Sequence, residues 1–300
     1  MFEYFIDLEP EIRLVLIFFI SSFSLFLLNF FFLKKKILID DKDSSLHKSY
    51  VNKTIVPLSG GLSIFLIYLL IYFNQNYLNL ILLSAIFLIG ILSDIKELNS
   101  PIKRLIFQII VILVFIKYNN IFINSVKIEF IDYFLLNSEI FRISFTTFCL
   151  LILLNGSNFI DGTNLQCSGY FFSVLIIFLI IHSFFNSSFD NEYLLNLTII
   201  IFVFLIFNLF NKSFLGDSGS YFLGFIVGIY SIEFINNYNF ISPYFIALLL
   251  WYPAFENLFS IIRRKIFLKN KVERPDNYHL HHLIYLFINK KYKNNFFSIN

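Results

Sequence analysis

A chain of 300 residues with 58% hydrophobic and 14% charged side chains lies far from soluble globular proteins, which carry about 25% charged residues. Two cysteines exclude a disulfide framework and a four-ligand zinc site, and at a net charge of +3 no nucleic-acid partner is expected. What remains is an all-α polytopic membrane protein, read as a single domain over residues 1–300, with the lipid bilayer as its surroundings.

In chain order, Glu3, Asp7, Glu9 and Glu11 precede the first apolar run, where a cleavable signal peptide would carry basic residues. The first span, 12–33, is therefore read as retained. Further spans are predicted at 57–74, 78–93, 102–118, 141–158, 168–185, 193–211, 218–236 and 243–262, about nine in all. Most approach the roughly 20 residues that a helix needs to cross a hydrocarbon core of about 30 Å. Between the fourth and fifth, IFINSVKIEFI (121–131) alternates Val126, Ile128 and Phe130 with Lys127 and Glu129, which predicts a short hairpin outside the bilayer. No internal repeat is visible.

Lys and Arg are retained on the cytoplasmic side of short loops. With nine spans, every basic residue except Arg13, Lys117, Lys127 and Arg142 falls on one face, which places the N-terminus outside. The clusters SDIKELNSPIKR (93–104), NGSNFIDGTN (155–164), GDSGS (216–220) and HLHH (279–282) then share the cytoplasmic end of the bundle. Polar residues scattered by chance would not sort so cleanly, so a site at the inner membrane surface is expected.

Each cluster has two readings. Asn155, Asn158 and Asp161 span an arc of about 120° on one helix face; they form either a polar pocket wall or the fraying end of a helix. In GDSGS, Asp217 between Gly216 and Gly219 at a helix start suits a phosphate or a divalent cation, or is a simple cap. Asp94 closes the third span, Ser100 and Pro101 start the fourth, and Lys103 and Arg104 sit at headgroup level, for lipid phosphate or merely snorkelling. His279, His281 and His282 lie in a basic tail, either solvated or binding an anion. Acids for Mg²⁺, glycines at a helix start and basic side chains together describe phosphoryl transfer, which works by positioning and charge neutralisation.

ILSDIKELNSPIKRL, NGSNFIDGTN, FLGDSGSYFLGF and RPDNYHLHHLI, with PLSGGLSIFL before them, occur in an order and spacing that resemble the polyprenyl-phosphate N-acetylhexosamine-1-phosphate transferases, glycosyltransferase family 4. The resemblance implies transfer of an N-acetylhexosamine 1-phosphate from a UDP-sugar to undecaprenyl phosphate in the bacterial inner membrane, releasing UMP and starting a surface polysaccharide. It implies Asp94, Asp161 and Asp217 as catalytic residues, with Mg²⁺, or Mn²⁺ in its place, held by Asp217 and Asp94. It further implies that Asn155, Asn158, Asn164, Lys103, Arg104, His279, His281 and His282 bind the substrates. The His-x-His-His form resembles enzymes using UDP-N-acetylglucosamine-type donors rather than the muramoyl-pentapeptide enzyme. Homodimers occur in that family, and its members usually continue into at least one more span.

Ser93 stands where the family has an acid, and Asn164 where many members have Asp. A non-catalytic relative serving as an assembly partner is therefore a second reading. A transporter of a phosphorylated solute is a third, which calls for repeat symmetry and charged sites near mid-membrane; neither is visible in the sequence.

Overall fold

A backbone in lipid must satisfy its own hydrogen bonds, so apolar runs of this length become helices. The computed structural model describes residues 9–41, 55–72, 76–185, 191–238 and 240–267, with Leu280, Leu283, Ile284 and Phe287 beyond them. In chain order the elements are α1 (Pro10–Lys35), β1 (Ile39–Asp41), β2 (Ile55–Pro57), α2 (Gly60–Tyr72), α3 (Tyr77–Asp94), α4 (Pro101–Asn119) and α5 (Glu129–Asn137). They continue with α6 (Glu139–Ile160), α7 (Gln166–Phe185), α8 (Asn191–Leu209), α9 (Gly216–Asn237), α10 (Pro243–Leu249) and α11 (Trp251–Ile262).

The all-α polytopic architecture is as expected, and each of the nine predicted spans contains helix, although among the described residues fewer than nine helices are by themselves long and apolar enough to cross. Six helices, α1, α3, α6, α7, α8 and α9, are long and apolar enough to cross a membrane. A seventh is gained if α10 and α11, bent by 65° at their break, form one span. The 13 residues of α2 cover only about 20 Å at 1.5 Å per residue. Its predicted start is lost because Ile55–Pro57 leaves the helix to pair antiparallel with Ile39–Asp41, with Val56 opposite Asp40. Helix α4 is long enough, but Lys103, Arg104 and Lys117 interrupt its apolar character.

The predicted hairpin at 121–131 is absent. No strand forms there, and the chain instead enters α5 at Glu129. The cause is Asp132, whose carboxylate accepts hydrogen bonds from Ser125 Oγ (2.6 Å), the Val126 N–H (2.7 Å) and the Lys127 N–H (3.1 Å). Those donors are withdrawn from any ladder, and Lys127 turns into the left-handed region at φ 58°. What burial Asp132 has pushes its carboxyl up, but these bonds and the Lys127 charge outweigh it and hold the group below its ordinary range. The stabilisation is therefore present above the ordinary carboxylate range and is lost as pH falls through the lowered value. An Asp132→Ala variant is expected to lose about 1 kcal/mol locally and to become sensitive to proteolysis between residues 121 and 131; unchanged cleavage would refute the role.

Helix α9 is the axis of the bundle. Its apolar window is 89% buried, against 22% for α1 at the edge, and it packs against α2, α3, α6 and α7. Small residues allow backbones to approach closely: a Cβ on Gly90 of α3 would lie 2.2 Å from the Ser218 Cα, and one on Gly61 of α2 would lie 2.6 Å from the Gly219 Cα. The first turn of α2 has free N–H groups, as any helix start does. Gly60 and Gly61 donate theirs to the Phe214 and Leu215 carbonyls, both at 3.0 Å, while the Phe214 N–H donates to the Pro57 carbonyl at 2.9 Å. This clasp fixes the entry into α9 against the small sheet.

Candidate active site at the start of helix α9

Four helix ends converge where α9 begins. Asp217 lies in its first turn, Ser93 and Asp94 close α3, Arg104 lies one turn into α4, and Asn158 lies in the last turn of α6 with Asp161 just beyond. Ser100 caps α4 and Pro101 occupies its first turn, which fixes the direction from which Arg104 enters.

Asp217 is the hub. Its Oδ2 accepts from Ser93 Oγ at 2.5 Å and from Arg104 Nη1 at 3.2 Å, and its Oδ1 accepts from Asn158 Nδ2 at 2.6 Å. The same Arg104 nitrogen donates to Ser93 Oγ at 2.7 Å and to the Tyr221 hydroxyl at 3.3 Å. The Asp217 side chain keeps 32% of its surface exposed and Arg104 20%, so the pair is held firmly yet reachable.

Asp94 does something different. Its two oxygens accept from the backbone N–H of Asp217 (2.8 Å) and of Ser218 (3.1 Å), so it caps α9 from a neighbouring helix and neutralises the positive end of that helix dipole. Gly216 makes this contact feasible: its φ of +77° suits glycine, and a Cβ there would meet the Asp94 carboxylate at 2.9 Å. Asp161 accepts no hydrogen bond from the described residues. Burial, then the charges of Asp217 and Asp94, push its carboxyl well above the ordinary range.

Asn155 lies one turn behind Asn158. It donates to Gln108 Oε1 at 3.0 Å and to the Leu151 carbonyl at 2.9 Å, tying α6 to α4. Asn164 is elsewhere: it donates to the Asn208 carbonyl and to Asn211 Oδ1, both at 2.5 Å, and joins the α6–α7 connection to the end of α8. Lys103 is exposed and makes no ion pair among the described residues. His279, His281 and His282 lie outside the described residues.

Three participants were not singled out as binding groups in the sequence. Gln108 and Tyr221 stand four residues after Arg104 and Asp217, a spacing that puts each pair on one helix face. Arg264, counted only toward the basic tail, is buried with its guanidinium 5.3 Å from the Phe159 ring, next to Asn158 in sequence.

Among known proteins, the family described as Glycosyl transferase family 4 matches residues 80–235, just over half of the chain, and this segment contains Asp217 and every residue bonded to its side chain. A 253-residue match to the undecaprenyl-phosphate alpha-N-acetylglucosaminyl 1-phosphate transferase of Thermotoga maritima is 31% identical over 84% of this chain and 74% of that protein. The chain belongs to glycosyl transferase family 4. A second relative is the probable undecaprenyl-phosphate N-acetylglucosaminyl 1-phosphate transferase of Bacillus subtilis, 27% identical over 93% of this chain and 79% of its own length.

Proposed function

We propose that this family 4 protein transfers an N-acetylhexosamine 1-phosphate from a UDP-sugar to undecaprenyl phosphate at the cytoplasmic face of the bacterial inner membrane, as the first lipid-linked step of a surface polysaccharide. The names of both relatives support a sugar-1-phosphate transferase acting on undecaprenyl phosphate. The observation that carries the reading is the partly exposed Asp217 at the start of α9, gripped by Ser93, Arg104 and Asn158 beside a further acid.

A lipid phosphate oxygen attacks the β-phosphorus of the donor, the bond from that phosphorus to the bridging oxygen breaks, and UMP leaves with the electron pair. A phosphate monoester with a second pKa near 6 is already mostly dianionic at neutral pH, so Ser93 in place of an acid does not deprive the reaction of a base. Arg104 keeps Asp217 in one orientation and supplies a positive charge at the phosphate plane, while Asn158 fixes the other carboxylate oxygen.

The residues fit Mg²⁺. Asp94, Asp161 and Asp217 outnumber Arg104, and the Asp161 carboxylate accepts no hydrogen bond from the described residues. No three His, Cys, Asp or Glu side chains among the described residues are grouped to hold an ion by themselves, so a cation here would be held by one or two carboxylates plus substrate phosphates. Asp217 and Asp161 would hold it, with Asp94 kept to its capping role; when bound, the ion neutralises the diphosphate charge.

The test is UMP release by the purified protein in detergent with undecaprenyl phosphate and a panel of UDP-N-acetylhexosamines. Lipid-dependent release, abolished by EDTA and restored by Mg²⁺ or Mn²⁺, is the expected result. Silence with every donor, from a preparation that still binds UDP-sugar, would instead establish the non-catalytic assembly partner; a Ser93→Asp variant that also fails would close the matter.

A further inference from the structure

A second polar chamber lies at the other end of the bundle and takes no part in the transfer chemistry. It is a cavity of about 270 Å³ whose carboxylate, Glu233, lies on α9, about 24 Å along the axis from Asp217 at 1.5 Å per residue. Asn76, which caps α3, and Asn119, which ends α4, also line it, so it sits where helices terminate.

Glu233 accepts no side-chain hydrogen bond among the described residues, and no Lys, Arg or His among them lines the chamber. Two of the three neighbouring amides have donors committed elsewhere: Asn119 Nδ2 donates to Asn79 Oδ1 (2.8 Å) and to the Phe115 carbonyl (3.0 Å), and Asn76 Nδ2 to the Tyr118 hydroxyl (2.9 Å). The opposite wall is aromatic. The ring of Tyr193 lies 4.7 Å from that of Tyr230 and edge-on to Tyr68 at 5.7 Å, and Glu233 acts electrostatically on Tyr68 and Tyr193. A carboxylate drawn away from bulk water needs a proton or a positive partner. Electron-rich tyrosine faces favour an organic cation, and 270 Å³ is far more room than a bare metal ion fills.

We propose that this chamber binds an ammonium group, either of a free small amine or of an amine-bearing phospholipid headgroup, with Glu233 as counter-ion and Tyr68, Tyr193 and Tyr230 as the aromatic wall.

Thermal unfolding of the full chain in detergent tests this. Ethanolamine and tetramethylammonium are titrated in one arm, and micelles doped with phosphatidylethanolamine or phosphatidylglycerol are compared in the other. At saturation the amine ligand is expected to raise the unfolding midpoint by about 2–5 °C and Glu233→Gln is expected to remove the rise. A rise with free amines identifies a soluble ligand; a rise with phosphatidylethanolamine alone identifies the headgroup. Ile229→Trp, which fills the chamber from α9 while leaving the Glu233 charge in the chain, is expected to abolish the response as well and decides the matter if Glu233→Gln does not fold. No response from either source, or a response equal in the variants, would overturn the proposal and leave a water-filled chamber with a protonated acid. Because the readout is unfolding, failure here leaves the transferase reading intact.

Discussion

Replacing Asp217 with Asn is expected to lower lipid-dependent UMP release by about 10²–10³-fold while the protein stays folded. The amide keeps the volume of the carboxylate and still offers one oxygen to Ser93 or Arg104, so packing at the start of α9 survives. The Arg104 ion pair that disappears spans 3.2 Å and is partly exposed, and such pairs contribute little to stability, about 0–1 kcal/mol. The negative charge at the hub is what is lost. Arg104 then has no acid to face, and the site loses the group best placed to hold a divalent cation against the diphosphate. Parallel measurements of UMP release and thermal unfolding check the claim, and a variant as active as the parent would sink the assignment of Asp217.

Gly90→Ala is expected to be nearly as damaging to activity, by an unrelated route. A single methyl there would lie 2.2 Å from the Ser218 Cα and 2.6 Å from its nitrogen. Both atoms are backbone, and the Ser218 N–H is bonded to Asp94, so nothing flexible can yield. Helix α9 must shift, costing about 1–3 kcal/mol and separating Asp217 from Ser93. Gly169→Ala provides the contrast. Its nearest neighbours would be at 3.8 Å or more, so it is expected to leave stability unchanged or raised by about 0.5–1 kcal/mol. Equal unfolding midpoints for the two variants would contradict the packing argument.

Much of the site was legible because its parts are local. A carboxylate between glycines at the start of an apolar run, and Asn or Asp at three-residue intervals at the end of another, are patterns within a few helical turns. The meeting of three of them, around Asp94, Asn158 and Asp217, was also foreseeable, since hydropathy and charge sort those clusters to one end of the spans; the fourth, at 279–282, lies outside the described residues. The division of labour was not. Asp94 and Asp161 are equivalent as letters, yet one caps α9 through two backbone bonds and the other accepts none from the described residues. Asn164 continues the ladder in sequence, but the chain turns after Ile160, and its amide goes to α8 instead.

The sequence by itself determined that the chain crosses a membrane repeatedly as helices, roughly where those helices run, and which family it belongs to. Those properties are sums over short windows: twenty apolar residues span lipid whatever surrounds them, and a motif keeps its spacing in any context. Only the tertiary structure decided that Asp132 replaces a hairpin with a helix and that α2 starts late to clasp the entry of α9. It alone decided that Arg104 reaches across to Asp217 and that Glu233 faces tyrosines with no basic residue among the described ones lining its chamber. The physical reason is that a side chain's partner depends on how each helix is rotated and how closely two backbones approach. Those are set by residues distant in sequence, as Gly90 against Ser218 and Gly61 against Gly219 show.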